Sequence, residues 1–324
     1  MLSIICNRSL VTNSKVRKVV IIGGTGFIGK YVAKAFVQDT NTSILMGSRH
    51  SKIDDLKLWE GNQVLPPMKC DITSQDEVLE TCEGANIIVN LVGIMHENPP
   101  IYTFENVQHL GARNAAIAAK QNDAQLIHLS AIGADPKSEV PYARTKGLGE
   151  ITIREIYPTA TIIRPSIVFG PEDDFFNRFS KLARFLPFMP VFGGGFTKFQ
   201  PVYVWDLAMA VAKTSNQSLK FQEFQGKVFE IGGPKVYTYK ELMQLTLSES
   251  GIKRPILSLP WQIGLIQGFF LEKLPKNLFT ITRDQIKLLK KDNVVSNMEG
   301  ILTLKDLGIE PTPAEKVLCT YLRP

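Results

Sequence analysis

Residues Val19 to Gly29 read VVIIGGTGFIG, four β-branched apolar residues running into a glycine cluster and then directly into the amphipathic stretch Ile28 to Val37. Such an order is that of a buried strand, a tight turn and a helix. With G-x-x-G-x-x-G spacing, Gly23 allows the turn, Gly26 lets a ligand approach the backbone, and Gly29 lets the helix pack against the sheet. Thr25, Phe27 and Ile28 complete the turn. The first N–H groups of a helix lack partners within it and its dipole favours negative charge, so a pyrophosphate is the fitting occupant. The expected ligand is a nicotinamide dinucleotide contacted by Gly23, Thr25, Gly26, Phe27, Ile28 and Gly29.

Downstream, apolar runs alternate with helical stretches: Ser43 to Gly47, a third strand ending at Asp71, Asn86 to Gly93, Gln125 to Ala131 and Thr161 to Ser166. Helices are expected at Ser74 to Cys82, Glu105 to Gln121 and Tyr142 to Tyr157. Strands separated by helical crossovers predict an α/β chain with a Rossmann doubly wound parallel sheet. After Ser166 the sequence turns to loops rich in Gly, Pro and Phe, with strand candidates Gln200 to Val204 and Lys227 to Ile231 and a helix at Thr238 to Glu249. The expected organisation is a leader at 1–18, a dinucleotide-binding domain at 19–166, and a smaller C-terminal substrate-side domain at 167–324, partly interleaved with the first.

The leader contains Arg8, Lys15, Arg17 and Lys18 and no acid, with Ser, Thr and Asn among apolar residues. A mitochondrial transit peptide has this character; a short disordered tail is the other reading. Of the net charge of +6, four units belong to the leader, leaving +2 elsewhere. No element clusters Lys and Arg, which argues against a nucleic-acid partner. The four cysteines and four histidines lack ligand spacing, so neither a zinc site nor a disulfide framework is expected.

Two further segments bear on function. At the end of the second strand an acid would bind a ribose 2′-hydroxyl, whereas a cation would meet a 2′-phosphate. Here stand Ser48 and Arg49, and a guanidinium pairs with phosphate as a fork, so NADP(H) is expected over NAD(H) unless Arg49 is merely a solvated loop residue. From Ile256 to Lys276 lies an apolar stretch whose core, Pro260 to Glu272, falls short of the roughly 20 residues of a transmembrane helix. It reads either as a buried helix or as an interfacial one, with Trp261, Phe269 and Phe270 between basic ends at a membrane surface.

GGTGFIG, Cys70-Asp71-Ile72, Asn90 to Gly93, Tyr142-Ala-Arg-Thr-Lys146, Arg164-Pro165-Ser166 and Gln200 to Val204 together resemble the extended and atypical short-chain dehydrogenase/reductases. The resemblance implies that Asp71 and Ile72 flank the adenine, that Gly93 lies beside the cofactor, and that Pro165 supports the nicotinamide end. Tyr142 and Lys146 are four apart and share a helix face. The lysine charge would lower the phenol pKa from about 10, letting Tyr142 exchange a proton with a carbonyl while Ser130 holds the substrate oxygen and Lys146 the ribose.

LSAIGAD (Leu129 to Asp135), FGPEDDFFNRF (Phe169 to Phe179), QPVYVWDLA (Gln200 to Ala208), ITRDQ (Ile281 to Gln285) and DLGIEPTP (Asp306 to Pro313) look most like the subunit 9 type of the complex I alpha subcomplex. A mitochondrial relative acting with the ubiquinone-biosynthesis complex is the neighbouring resemblance. Both imply a cofactor-holding protein on the matrix side of the inner membrane, with subunits of one of those complexes as partners. Ala131 follows Ser130 where another hydroxyl residue is usual, so Ser130, Tyr142 and Lys146 are expected to be either a retained cofactor clamp or the triad of a free-standing NADPH-dependent reductase of a lipid-like or quinone-related carbonyl.

Overall fold

The computed structural model describes residues 16–49, 64–215, 221–272, 277–296 and 298–323. Most of the leader, His50, Lys273 and Lys276 lie outside the described residues.

Strand β1 (Arg17–Ile22) lies inside the large sheet, with strands on both sides, and Val19 to Ile22 have no exposed surface. A strand apolar at every position must be covered on both faces, as in parallel α/β sheets. It pairs in parallel with β2 (Thr42–Ser48) and with β4 (Ile87–Asn90), matching Val20 to Leu45 and to Ile88. Beyond them lie the short β3 (Met68–Lys69), β5 (Gln125–Leu129) and β6 (Thr161–Pro165). The order β3-β2-β1-β4-β5-β6 reverses between β1 and β4. That reversal is the crevice in which open α/β sheets bind ligands.

Helices cover both faces. On one, α1 (Phe27–Val37) packs against α6 (Val204–Thr214) through Val32, Phe36, Leu207 and Val211. The other carries α2 (Gln75–Cys82), α3 (Gly111–Asn122) and α4 (Pro141–Ile156). Alanines 112, 115, 116, 118 and 119 of α3 are fully buried, and side chains this small let α3 approach both the sheet and α4. Ser74 caps α2, its hydroxyl accepting from Glu77 N, with Asp76 and Glu77 in the first turn favouring the helix dipole.

The predicted strand at Lys227 to Ile231 forms over Val228–Ile231, but it extends the large sheet beyond β6 instead of belonging to a smaller unit. All four of its residues are buried, which suits an interior parallel strand. Ile301–Leu302 adds an eighth strand in the same direction. Of Gln200 to Val204, expected as one strand, only Val202–Tyr203 is extended and paired; a separate short strand, Lys198–Phe199, precedes it with a different partner, and α6 begins at Val204. A separate apolar cluster, including Phe169, Phe176, Tyr239, Leu242 and Leu318, gathers α5 (Phe175–Phe185) and the helix Tyr239–Glu249.

The Trp261–Leu271 helix buries only Gly264 and Gly268. Added Cβ atoms there would lie 2.9 Å from Phe192 and 2.8 Å from Arg283 N, so the glycines let it dock closely. Ile263, Ile266, Phe269 and Phe270 remain exposed. Among the described residues no helix is long and apolar enough to cross a membrane.

Candidate functional site

The glycine turn opens at the reversal between β1 and β4. Gly23 has φ of +84°, a left-handed conformation that glycine adopts without strain, and its N–H donates to Gly47 O at 2.8 Å. A Cβ on Gly29 would fall 2.5 Å from the carbonyl oxygens of both Gly23 and Gly24, so only glycine permits this contact between helix and turn. Gly26 is different: it is exposed, and a Cβ there would meet only Gly23 O at 3.3 Å. Space over Gly26 faces outward, as an approaching pyrophosphate requires. No side chain caps the start of α1, and no acid stands in its first turn. Phe27, Ile28 and Gly29 therefore present uncapped helix N–H groups beside partly buried Thr25. These residues fit the phosphates of a dinucleotide.

At the β2 end Ser48 is buried and Arg49 exposed. The Arg49 guanidinium lies 4.4 Å from the Tyr102 ring centroid, and the Tyr102 hydroxyl donates to Asp71 Oδ2 at 2.8 Å. Burial raises the Asp71 carboxyl, but hydrogen bonds from Thr73 and Tyr102 and the Arg49 charge outweigh it and hold the group below its usual range. Ile72, expected beside the adenine, is 3% exposed and packed into the core; its carbonyl accepts from Asn114 Nδ2 at 2.9 Å.

Deeper in the crevice, Gly93 and Lys146 come together: a Cβ on Gly93 would stand 3.2 Å from Lys146 Nζ, which donates to Leu129 O at 3.0 Å. Below them Asn90 Nδ2 approaches His128 Nδ1 at 3.2 Å, leaving His128 Nε2 buried without a partner. Pro165 is buried, its carbonyl accepting from Ile132 N at 3.0 Å.

Tyr142 packs edge-to-face on Phe104, with ring centroids 5.9 Å apart, and lines a cleft of about 330 Å³ with Met95, His96, Glu97 and Leu288. A more open concavity of about 630 Å³, around Lys240 and Arg254, shares no lining residue with this cleft or the glycine turn.

The expected acid–base ordering is reversed. Burial pushes the Tyr142 phenol up to about 12, while burial, partly offset by the Glu150 charge, takes Lys146 down to about 8. Lys146 is desolvated and donates to a backbone carbonyl, and burial is what raises the phenol. Ser130 is turned away as well. Its hydroxyl donates to Glu150 Oε1 at 2.5 Å, and Glu150 holds Arg164 in a fork of 2.9 and 2.6 Å. Arg164 reaches Glu230 at 3.4 Å, and Glu230 accepts from Ser296 N at 2.7 Å.

Three residues of this arrangement escape sequence reading. Glu150 is one helical turn beyond Lys146, a spacing that could have flagged it. Tyr102 and Phe104 sit on an irregular segment whose contacts no periodicity encodes.

A doubly wound sheet with this turn at its reversal point, and a tyrosine–lysine pair on α4, defines a dinucleotide-binding protein of the short-chain dehydrogenase kind. The chain belongs to the NAD dependent epimerase/dehydratase family, whose pattern matches residues 19–232. It is 31% identical over 307 residues to the Arabidopsis thaliana mitochondrial NADH dehydrogenase [ubiquinone] 1 alpha subcomplex subunit 9, covering 90% of this chain and 73% of the relative. The Dictyostelium discoideum protein of the same name is 30% identical over 309 residues, 94% of this chain and 83% of its own. Among solved structures, a dTDP-glucose 4,6-dehydratase from Bacillus anthracis in complex with NAD superposes with a TM-score of 0.67 at 15% identity, covering 94% of this chain and 95% of that one. Both the parallel-sheet fold and the likeness to subunit 9 expected from the C-terminal signatures are borne out.

Proposed function

We propose that this chain is an NADP(H)-holding subunit of quinone-linked machinery on the matrix side of the mitochondrial inner membrane, and that it binds the nucleotide without turning it over. The observation that carries this reading is the Ser130–Glu150 hydrogen bond: the hydroxyl that would serve a substrate oxygen is spent inside a buried ion network.

A bound dinucleotide would supply hydride chemistry; the chain's own groups are set to hold it. Gly26 and the α1 N-terminus receive the pyrophosphate, Arg49 a 2′-phosphate, and Lys146 the nicotinamide ribose beside Gly93. Tyr142 stays protonated through the neutral range, serving as a wall of the cleft. The identity with mitochondrial subunit 9 proteins favours complex I as the setting over a ubiquinone-biosynthesis assembly. Attachment at the bilayer surface is assigned to the Trp261–Leu271 helix. It exposes Ile263, Ile266 and Phe270, with Arg283 over the Phe269 ring at 5.2 Å and Lys290 over Trp261 at 5.5 Å, a pairing of aromatic and basic groups suited to a headgroup boundary.

A second reading, a free-standing NADPH-dependent reductase of a lipid-like or quinone-related carbonyl, rests on Tyr142 facing the 330 Å³ cleft. Native electrophoresis of mitochondria combined with nucleotide titration of the purified chain separates the two. Co-migration with a large inner-membrane assembly and tighter binding of NADPH than NADH are expected. A soluble matrix monomer that oxidises NADPH would overturn the proposal.

A further inference from the structure

Arg49 is seated on the structure around it. Its guanidinium lies over the Tyr102 ring, 4.4 Å from the centroid. Tyr102 is in turn fixed at both ends. Its hydroxyl donates to Asp71, and its backbone forms a reciprocal pair with Asn98, Asn98 N to Tyr102 O at 2.7 Å and Tyr102 N to Asn98 O at 3.1 Å. Asn106 Nδ2 holds the neighbouring Ile101 carbonyl at 2.8 Å, and the Tyr102 ring packs on the core cluster behind α2 and α3.

This arrangement has two consequences for an anion. Contact with an aromatic ring engages the face of a guanidinium and leaves its in-plane N–H groups free to donate. Asp71 stays ionised beside Arg49, but its oxygens are engaged by other donors: Tyr102 donates to Oδ2, and Thr73 donates to Oδ1 from its backbone at 3.0 Å and its hydroxyl at 2.8 Å. The crevice thus keeps a cation in place while Asp71 spends its oxygens on Tyr102 and Thr73.

We propose that Tyr102 is a specificity-determining positioning residue: held by Asp71, its ring presents the Arg49 guanidinium to a phosphate monoester on the adenosine ribose. This rests on the NADP(H) reading above and adds to it the residue through which Arg49 discriminates. The same segment reaches the other end of the crevice, where Phe104 packs on Tyr142.

The test uses the full purified chain, titrated with NADPH and NADH by fluorescence. Tyr102→Leu and Tyr102→Met keep apolar packing and remove the ring; each is expected to weaken NADPH about tenfold while NADH changes within about twofold. Tyr102→Phe retains the ring face and keeps the preference within about threefold of the parent. Arg49→Ala is the control for the reading beneath. If it leaves the NADPH to NADH ratio unchanged, the NADP(H) reading fails, and this inference with it. If Arg49→Ala abolishes the preference while the Leu and Met variants preserve it, the role of Tyr102 alone is overturned. Thermal melting matched to the parent certifies each variant; should Leu not fold, the Met variant decides.

Discussion

The Ser130 hydroxyl donates to Glu150 at 2.5 Å, and through Glu150 it joins the ion network that ties α4 to β6 and the Val228–Ile231 strand. A side chain that resembles a catalytic one has thus become part of what holds the sheet and α4 together. Glu150 and Glu230 are 5% and 4% exposed, so each depends on Arg164 for its charge to be tolerated.

Removing Glu150 leaves Arg164 with its longer, 3.4 Å contact to Glu230 and takes away the acceptor of the Ser130 hydroxyl. Glu150→Ala is expected to lower unfolding stability by about 2–3 kcal/mol, and Glu150→Gln by less, since the amide still accepts from Ser130. Urea unfolding of the purified variants reads both; a loss under about 1 kcal/mol for Glu150→Ala would show that the network does not bear on stability.

The glycine turn separates fold from ligand. Gly29→Ala must push a Cβ into two carbonyl oxygens and is expected to unfold the turn or the chain, lowering the melting temperature by several degrees at least. Gly26→Val meets one tight neighbour, Gly23 O at 3.3 Å, on an otherwise outward-facing position and keeps a melting temperature closer to the parent's, yet loses dinucleotide binding because its side chain fills the approach to the helix N-terminus. Equal melting temperatures for both variants would refute the assignment.

Much of this was legible from Val19 to Gly29, because an all-apolar strand followed by glycines and an amphipathic helix has few other ways to bury itself. The later strands were legible for the same reason. What the sequence concealed depends on distant chain segments: Arg49 meets Tyr102 from more than fifty positions away, and Ser130 meets Glu150 only because α4 lies over β5. Spacing predicted a shared helix for Tyr142 and Lys146, and both lie on α4. It could not reveal that Lys146 is turned to Leu129 and desolvated, or that burial governs the Tyr142 phenol.

Those acidities are open to measurement. With the phenol pushed up to about 12 by burial, Tyr142 remains protonated across the range in which an activated phenol would ionise. Ultraviolet titration of tyrosinate in the parent and in Tyr142→Phe is expected to coincide up to about pH 11. A difference of one tyrosinate between pH 7 and 9 would instead signal a working acid–base pair.

Acid should act through His128. Burial, and secondarily the Lys146 charge, pushes its pKa down to about 3, so the folded chain keeps it neutral where the unfolded chain takes up a proton below about 6.5. The unfolded state then binds the extra proton, and stability falls as pH drops from about 6.5 towards 3. His128→Gln is expected to flatten that slope in urea midpoints measured between pH 7 and pH 4; an unchanged slope would place the acid sensitivity elsewhere.

Whether the nucleotide is held without turnover is tested most directly by gene replacement, scored by recovery on native gels of the assembly proposed above. Tyr142→Phe is expected to restore the assembly to the parent level, whereas Gly26→Val, folded but unable to bind the dinucleotide, is expected to fail. If Tyr142→Phe fails as completely as deletion while its nucleotide affinity is intact, the site is catalytic and the nucleotide is consumed, contrary to a purely holding role.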